Sequence, residues 1–405
     1  MKSPSRVLVS HPTGNTFVRA LLDELENQNS LEFFYTSIGV GQKPASIIHT
    51  FIKRRSYSIP DKKISRLWFA EAKRLLFHRV SSQERKRLLT DHSYEALDTK
   101  VAKNLHRHPI KTIHAYEDGA YRSFLRAKEL GVRCSYELPI AHWSTVRRLL
   151  TEEAERRPDW EPTLESTRES EEKLLRKDKE IEAADFIICP SDFVLRSIPE
   201  ETQCRKPCQV AHFGSPSPVS KKEFPVDHPG KQNLRVLFVG SMSQRKGLAD
   251  LFDAIKLVNS PKVSLTIVGQ PSMPLTFYRS KYPSFNHIES CCNSEISAIM
   301  RSHDLLILPS IVEGRALVQQ EALANGLPII VTRNAGGEDL VDEGKTGFLV
   351  PIREPHIIAE RIEWFLSHLK NFPEFRNLCK IKAGHYSWSN YAKKVMENFK
   401  DEIQN

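Results

Sequence analysis

The sequence predicts an α/β protein of two Rossmann-like, doubly wound domains that face each other across a cleft. Three observations point there. Short apolar runs of buried-strand type alternate with amphipathic helical stretches along both halves of the chain. A polar, proline-rich stretch at 214–232 interrupts that alternation near the middle. The length, 405 residues, is long for one core and comfortable for two.

The elements follow in order. Arg6-Val-Leu-Val-Ser10 reads as a buried strand and His11-Pro-Thr-Gly-Asn15 as a turn. Thr16 is placed to cap a helix with apolar positions Phe17, Ala20, Leu21 and Leu25. Leu31-Glu-Phe-Phe-Tyr-Thr36 is the next strand, which completes an opening βαβ unit whose ligands gather at strand carboxyl ends. The turn has a single glycine, Gly14, so the dinucleotide fingerprint is absent and a dehydrogenase is disfavoured.

Residues 42–108 interrupt the pattern with a basic insertion in which Lys and Arg mix with Trp68, Phe69, Leu75, Leu76 and Phe77. Two readings stay open: two or three helices packed inward with basic outer faces, or a surface for an anionic membrane or acceptor. Strands resume at Ile110–Ala115 and Val132–Leu138, the first followed by the loop Tyr116-Glu-Asp-Gly119 and a helix to about Leu130. The charged stretch 147–184 reads as one or two long exposed helices broken at Pro158 and Pro162. Asp185–Cys189 is a strand, Ser191 caps the helix after it, and Gln209–Phe213 closes the first half. The expected division is therefore 1–213, a linker at 214–232, a second domain at 233–383, and a closing helix within 384–405.

In the second half, the strand Leu234–Val239 runs into Gly240-Ser-Met-Ser-Gln-Arg-Lys-Gly247 and a helix, Leu248–Val258. Two adjacent cations, Arg245 and Lys246, at a strand-to-helix turn suit a diphosphate. Fixed positive charge there stabilises a departing phosphate as its charge grows. Leu265–Gly269 is a further strand. The helix Glu295–Arg301, after Cys292–Ser294, lies where such folds hold a base. Gly336-Gly-Glu-Asp339 is a second candidate anion loop, or a plain turn.

The densest signal is Glu313-Gly-Arg-Ala-Leu-Val-Gln-Gln-Glu321, set between the apolar runs Asp304–Pro309 and Leu327–Val331. One carboxylate sits on the loop after a strand and the other along the helix, on the order of 10 Å apart. Between them, free N–H groups at the helix start suit an anion. Hexose, diphosphate and ribose fit that spacing.

This segment, with its flanks, resembles the signature of the retaining GT-B glycosyltransferases of family 4. The resemblance implies that Glu313 faces the donor sugar and that Glu321 holds the ribose hydroxyls, with Ala316 and Leu317 at the phosphate-facing helix start. Ala316 stands where the family usually has glycine. The turn after Gly240 resembles the family's basic loop: Lys246 matches its lysine, Ser241 occupies its arginine position, and Arg245 is the candidate to supply that charge. Gly14 and Asn15 occupy the place of a first-domain glycine loop that approaches the diphosphate. The family often has a sugar-facing histidine after a first-domain strand, for which Glu137, His142 and His114 are the candidates. The C-terminal stretch from His385 resembles the family's closing helix, which packs back on the first half.

Composition narrows partners. Hydrophobic content of 40% against 27% charged residues reads as globular, and no apolar run approaches the ~20 residues of a membrane span. The N-terminus lacks a signal-peptide pattern, and seven cysteines, an odd number, argue for reduced thiols, so the chain reads as cytoplasmic, with peripheral contact at an anionic membrane one use of its net charge of +9. No nucleic-acid module is recognisable. Cys204-x3-Cys208-x3-His212 lacks a fourth metal ligand.

The expectation is a hexosyltransferase that takes a sugar from a nucleotide-diphospho-sugar, without a metal or other cofactor, to a carbohydrate or lipid-linked acceptor in polysaccharide, glycolipid or glycoconjugate synthesis. Two alternatives stand beside it. A nucleotide-sugar 2-epimerase would exchange the donor's C2 hydrogen without an acceptor. A non-catalytic sugar-nucleotide-binding protein would bind donor without turnover.

Overall fold

The computed structural model describes residues 6–42, 55–68, 83–164, 169–219 and 232–399. In the first half the strands are β1 (Val7–Ser10), β2 (Leu31–Thr36), β3 (Val40–Gln42), β4 (Ser56–Pro60), β5 (Ile64–Arg66), β6 (Thr112–Tyr116), β7 (Arg133–Glu137), β8 (Phe186–Cys189) and β9 (Cys208–Val210). The helices are α1 (Thr16–Asn27), α2 (Gln83–Asn104), α3 (Tyr121–Glu129), α4 (Trp143–Arg156), α5 (Glu171–Ala183), α6 (Asp192–Ser197) and α7 (Glu200–Arg205). The second half holds β10 (Leu234–Val239), α8 (Leu248–Val258), β11 (Val263–Val268), α9 (Leu275–Lys281), β12 (Phe285–Ile288), α10 (Asn293–Ser302), β13 (Leu305–Leu308), α11 (Leu317–Ala324), β14 (Ile329–Thr332), β15 (Gly347–Val350), α12 (Pro355–Ser367), α13 (Phe372–Gly384) and α14 (Trp388–Glu397).

Two sheets organise these elements. The first runs β5-β2-β1-β6-β7-β8-β9 and the second β12-β11-β10-β13-β14-β15. Every pairing within them is parallel. Helices cover both faces of such sheets, so the strands read as continuous apolar runs. Val7–Ser10, Leu305–Leu308 and Ile329–Thr332 are buried at every position. Each order reverses beside its first strand, at β1/β6 and at β10/β13, and a doubly wound sheet opens its ligand crevice outside the strand ends at that point. The predicted fold class is the one observed.

α14 packs on α1, and Tyr391, Ala392, Val395 and Met396 join the first-domain core. The chain crosses between domains beside it. The Ser215 N–H donates to the Tyr386 carbonyl at 3.0 Å, and Gly214 lies so close to Trp388 that a side chain there would collide with it.

Three sequence expectations change. Within the basic insertion, β4 and β5 are strands rather than helix, and β5 forms the sheet edge. Tyr57 and Ile59 point inward while Ser58 is exposed, a period of two that the surrounding cations obscure. Residues 43–54 and 69–82 of that insertion, with Phe69, Leu75, Leu76 and Phe77, lie outside the described residues. Thr16 is the first residue of α1, and Asn15 holds the cap position without a side-chain capping bond.

The charged stretch 147–184 forms two helices, α4 and α5, with the break at Pro158–Thr163 as expected, but they are not simply exposed. Glu153 and Glu180 are fully buried, and Trp160, on the 3-10 turn Pro158–Thr163, is 2% exposed inside the second domain's core. Glu153 is matched by arginines, whereas burial raises Glu180 to about 8, which favours its neutral acid near pH 7. Glu153 accepts from Arg156 and Arg353, and Glu180 accepts from the Asp118 and Ala120 N–H groups.

Candidate functional site

The two loops at the β10/β13 reversal bring the site together. β10 ends at Val239. Gly240 follows with φ +150° and lies under the Lys246 side chain, and Gly269 packs against the Gly240 carbonyl too closely for a Cβ. A 3-10 turn, Gln244–Lys246, then presents both cations, and Gly247 (φ +74°) closes it against the Pro309 carbonyl, where only glycine fits. The loop after β13 carries Glu313. The Ile311 N–H donates to the Arg245 carbonyl at 2.9 Å and ties the two loops.

Glu313 is 8% exposed, and one carboxylate oxygen receives Arg245 Nη1 at 2.7 Å and Lys246 Nζ at 2.5 Å. Burial pushes the Lys246 ammonium below the ordinary lysine range, and Glu313 opposes that drop. Arg245 and Glu313 face a cavity of about 430 Å³ between the domains, whose wall also includes Ser241, Ser243, Ser272 and Arg315. The first domain contributes Pro139, Ile140 and Thr163 to the same wall. The domains touch at its edge. Ser191 Oγ donates to the Gly314 carbonyl at 2.6 Å, and Gly314 abuts the Pro139 carbonyl.

Sequence reasoning assigned no role to Arg315, although it sits inside the glutamate segment. It is 4% exposed and fully engaged, with Asp339 at 2.7 and 2.9 Å, the Gly336 carbonyl at 3.0 Å and Gln320 Oε1 at 3.2 Å. It braces the loop from below. Asp339, from the Gly336–Asp339 segment, is therefore an arginine partner, and that segment opens a 3-10 turn rather than an α-helix.

Glu321 sits on α11, half-buried, with no hydrogen bond or ion pair to its carboxylate among the described residues. Burial raises its pKa. It does not line the 430 Å³ cavity. Ala316 occupies the α11 cap position, but its N–H donates to the Ala335 carbonyl at 3.1 Å. The helix-start donors that find no acceptor among the described residues are those of Leu317 and Val318.

The first-domain candidates are placed elsewhere. His114 and Glu137 are wholly buried, 3.3 Å apart, with His114 Nδ1 2.8 Å from Ser135 Oγ. Tyr391 of α14 donates to Glu137 at 2.8 Å, so that carboxylate anchors the closing helix. His142 caps α4, accepting from the Ser144 N–H, and opens instead onto a separate pocket of about 520 Å³ with Trp143, Asp178 and Lys206. Its burial pushes the imidazole down to about 4. None of the three lines the interdomain cavity. Gly14 and Asn15 lie in the turn between β1 and α1, with Gly14 pressed against Tyr57. They lead into Phe17, whose cluster receives Leu317 from the second domain. Among the described residues no His, Cys, Asp or Glu group is arranged to hold a metal ion, and no helix is long and apolar enough to cross a membrane.

A fold of this order, with a cation turn and a paired glutamate at the second switch point, is a doubly wound two-domain α/β architecture. Comparison with known proteins sharpens it. Residues 233–368 match the family described as glycosyl transferases group 1, so the second half carries that domain. The D-inositol 3-phosphate glycosyltransferase of Corynebacterium glutamicum is 32% identical over 183 residues, 42% of this chain and 44% of that protein. The chain spans less than half the length of the curated relatives it matches. Sucrose-phosphate synthase from Thermosynechococcus elongatus superposes over 98% of both chains at a TM-score of 0.63 and 16% identity. Anabaena HepE, solved with UDP and glucose, superposes over 97% of this chain and 99% of its own at 0.61 and 14% identity. The fold is GT-B.

Proposed function

We propose that the protein is a retaining glycosyltransferase that moves a hexose from a nucleoside-diphospho-sugar to an acceptor hydroxyl. One observation carries the reading: a carboxylate and two cations meet within 2.7 Å at the switch point of the second sheet, with Glu313 and Arg245 lining an interdomain cavity of drug-to-sugar size. The group 1 domain over the same residues supports it, and the UDP held by Anabaena HepE makes a uridine donor the first to test.

In this reading the diphosphate takes over Arg245 and Lys246 from Glu313, and the freed carboxylate turns to the sugar. Leu317 and Val318 N–H groups add donors at the helix start. Glu321, without a partner among the described residues, accepts the ribose hydroxyls. As the sugar–phosphate bond breaks, charge builds on the departing diphosphate, which the two cations stabilise more than they stabilise the ground state. That phosphate takes the acceptor's proton on the same face, so the anomeric configuration is kept and neither a separate base nor a metal is needed. The acceptor, a carbohydrate or lipid-linked sugar, enters past Pro139, Ile140 and Thr163. Closure of the domains limits donor hydrolysis.

The test is a thermal-shift panel of UDP-, GDP- and ADP-sugars on the wild type and Glu321→Ala, with and without EDTA. One nucleotide class stabilises the wild type, the variant responds much less, and chelation changes neither. A panel in which no sugar nucleotide shifts the wild type sinks the proposal.

A further inference from the structure

The cation turn is held from the opposite domain. Gln244 opens the 3-10 turn that continues into Arg245 and Lys246, is wholly buried, and has every polar group engaged. Its N–H donates to Thr163 Oγ1 at 3.0 Å. Its Nε2 donates to Glu153 Oε1 and to Asp250 Oδ2, both at 2.8 Å, and its Oε1 accepts from the Ala249 N–H at 2.8 Å. Thr163 and Glu153 belong to the excursion after β7, from α4 through the 3-10 turn. Glu153 is itself fixed by Arg353 Nε at 2.8 Å and Arg156 Nη1 at 3.0 Å. Arg353 adopts φ +66°, a left-handed conformation uncommon for a side chain of its size, and reaches Glu152 and the Leu149 carbonyl as well.

The same excursion packs on the other catalytic loop. Leu149, Leu150 and Val146 share a cluster with Ile311 and Val312, which lead directly into Glu313. One segment of the first domain therefore grips both loops whose charged ends meet.

We infer that Glu153 is a positioning residue for the diphosphate site: through Gln244 it sets the aim of Arg245 and Lys246. This rests on the donor reading above. Arg245 and Lys246 cannot be shifted independently of Gln244, because the three share one tight turn with no residue of slack. If the contact were only interdomain adhesive, losing it would weaken every ligand of the cleft alike. A positioning role weakens only the part of binding that the second phosphate supplies.

The experiment is calorimetric titration of the whole chain with UMP and UDP, or the matching pair for whichever base the panel selects. Wild type is expected to prefer the diphosphate by about tenfold or more, and Lys246→Ala to erase that preference. Glu153→Gln, which removes the charge but keeps the shape, should leave UMP affinity within about twofold and cut the diphosphate preference by about fivefold. A folded Glu153→Gln protein that keeps the preference, or loses UMP and UDP binding equally, overturns the positioning role. A wild type without any preference overturns the donor reading and this inference with it. Gln244→Met preserves volume and leaves the Glu153–arginine pairs intact. It reads the same ratio and decides the question if Glu153→Gln does not fold.

Discussion

Glu313→Gln should tighten nucleoside-diphosphate binding while it damages transfer. Without donor, Arg245 and Lys246 supply two positive charges and Glu313 cancels one. In the proposed function a donor diphosphate displaces that carboxylate before it uses both cations. The variant frees about one unit of charge. At an effective dielectric of about 20 and a separation of roughly 6 Å, one charge pair is worth about 3 kcal/mol. Salt and partial exposure of Arg245 reduce that to about half, or about a tenfold lower Kd for UDP. Lys246 supplies a further check. Its pKa is already lowered by burial, and Glu313 is the group that holds it up. In the variant it falls further, so the gain should be largest near pH 7 and shrink as pH rises and the ammonium is lost. Transfer or donor hydrolysis should fall by about 100-fold, since the sugar loses its carboxylate. The assay is calorimetry with UDP at low and high salt, alongside donor turnover. A UDP affinity that is unchanged within about twofold, or weaker, at pH 7 and low salt refutes Glu313 as the counter-charge.

Two further outcomes can be checked directly. Trp160→Ala removes a ring packed against Phe277, Tyr278 and Phe252 at centroid distances of 5.1, 5.7 and 6.1 Å, and should cost about 3–5 kcal/mol in urea unfolding; a loss below about 1 kcal/mol means that the segment is not part of the second core. His142 stays neutral in the fold down to about pH 4, whereas an unfolded histidine takes its proton near 6.5, so at this residue the unfolded state binds more protons across that window and its contribution to stability falls as pH drops from 6.5 to 4. Its share is at most about 3 kcal/mol. Asn keeps the cap, so His142→Asn should make the melting-temperature profile less steep there; what remains is set by the other buried groups, His11 (about 3), His108, His212 and His303 in the same sense and Glu117 and Glu180, raised by burial to about 7 and about 8, in the opposite one; an unchanged profile counts against a neutral buried His142.

Much of the architecture was legible because parallel strands buried on both faces write themselves as local apolar runs, as in Leu234–Val239. The Glu313 loop and the Arg245–Lys246 turn could be assigned to strand ends for the same reason, since each needs only a few neighbouring residues to read. What stayed hidden depends on partners far along the chain. Nothing near Glu153 announces burial, because its partner Arg353 is 200 residues away. Trp160 stands between Asp159 and Glu161 and looks solvated until Phe252 and Tyr278 enclose it. Glu137 ends β7, as a sugar contact would, but Tyr391 from the last helix covers it, and His114 lies buried in the middle of β6. β4 was obscured by composition: two inward residues among lysines and arginines are too short a pattern to outweigh the charge.

The excursion that ends in Trp160 also has a timing problem. Synthesis runs from the N-terminus, and at about 5–20 residues per second some 190 residues must follow Trp160 before β15 completes the sheet around it, roughly 10–40 s. For that interval Trp160 has no second core to enter, and the nascent chain shows this indole to its surroundings. A ribosome-associated chaperone that shields such patches would find its substrate here, in the middle of the first half, rather than at the domain junction.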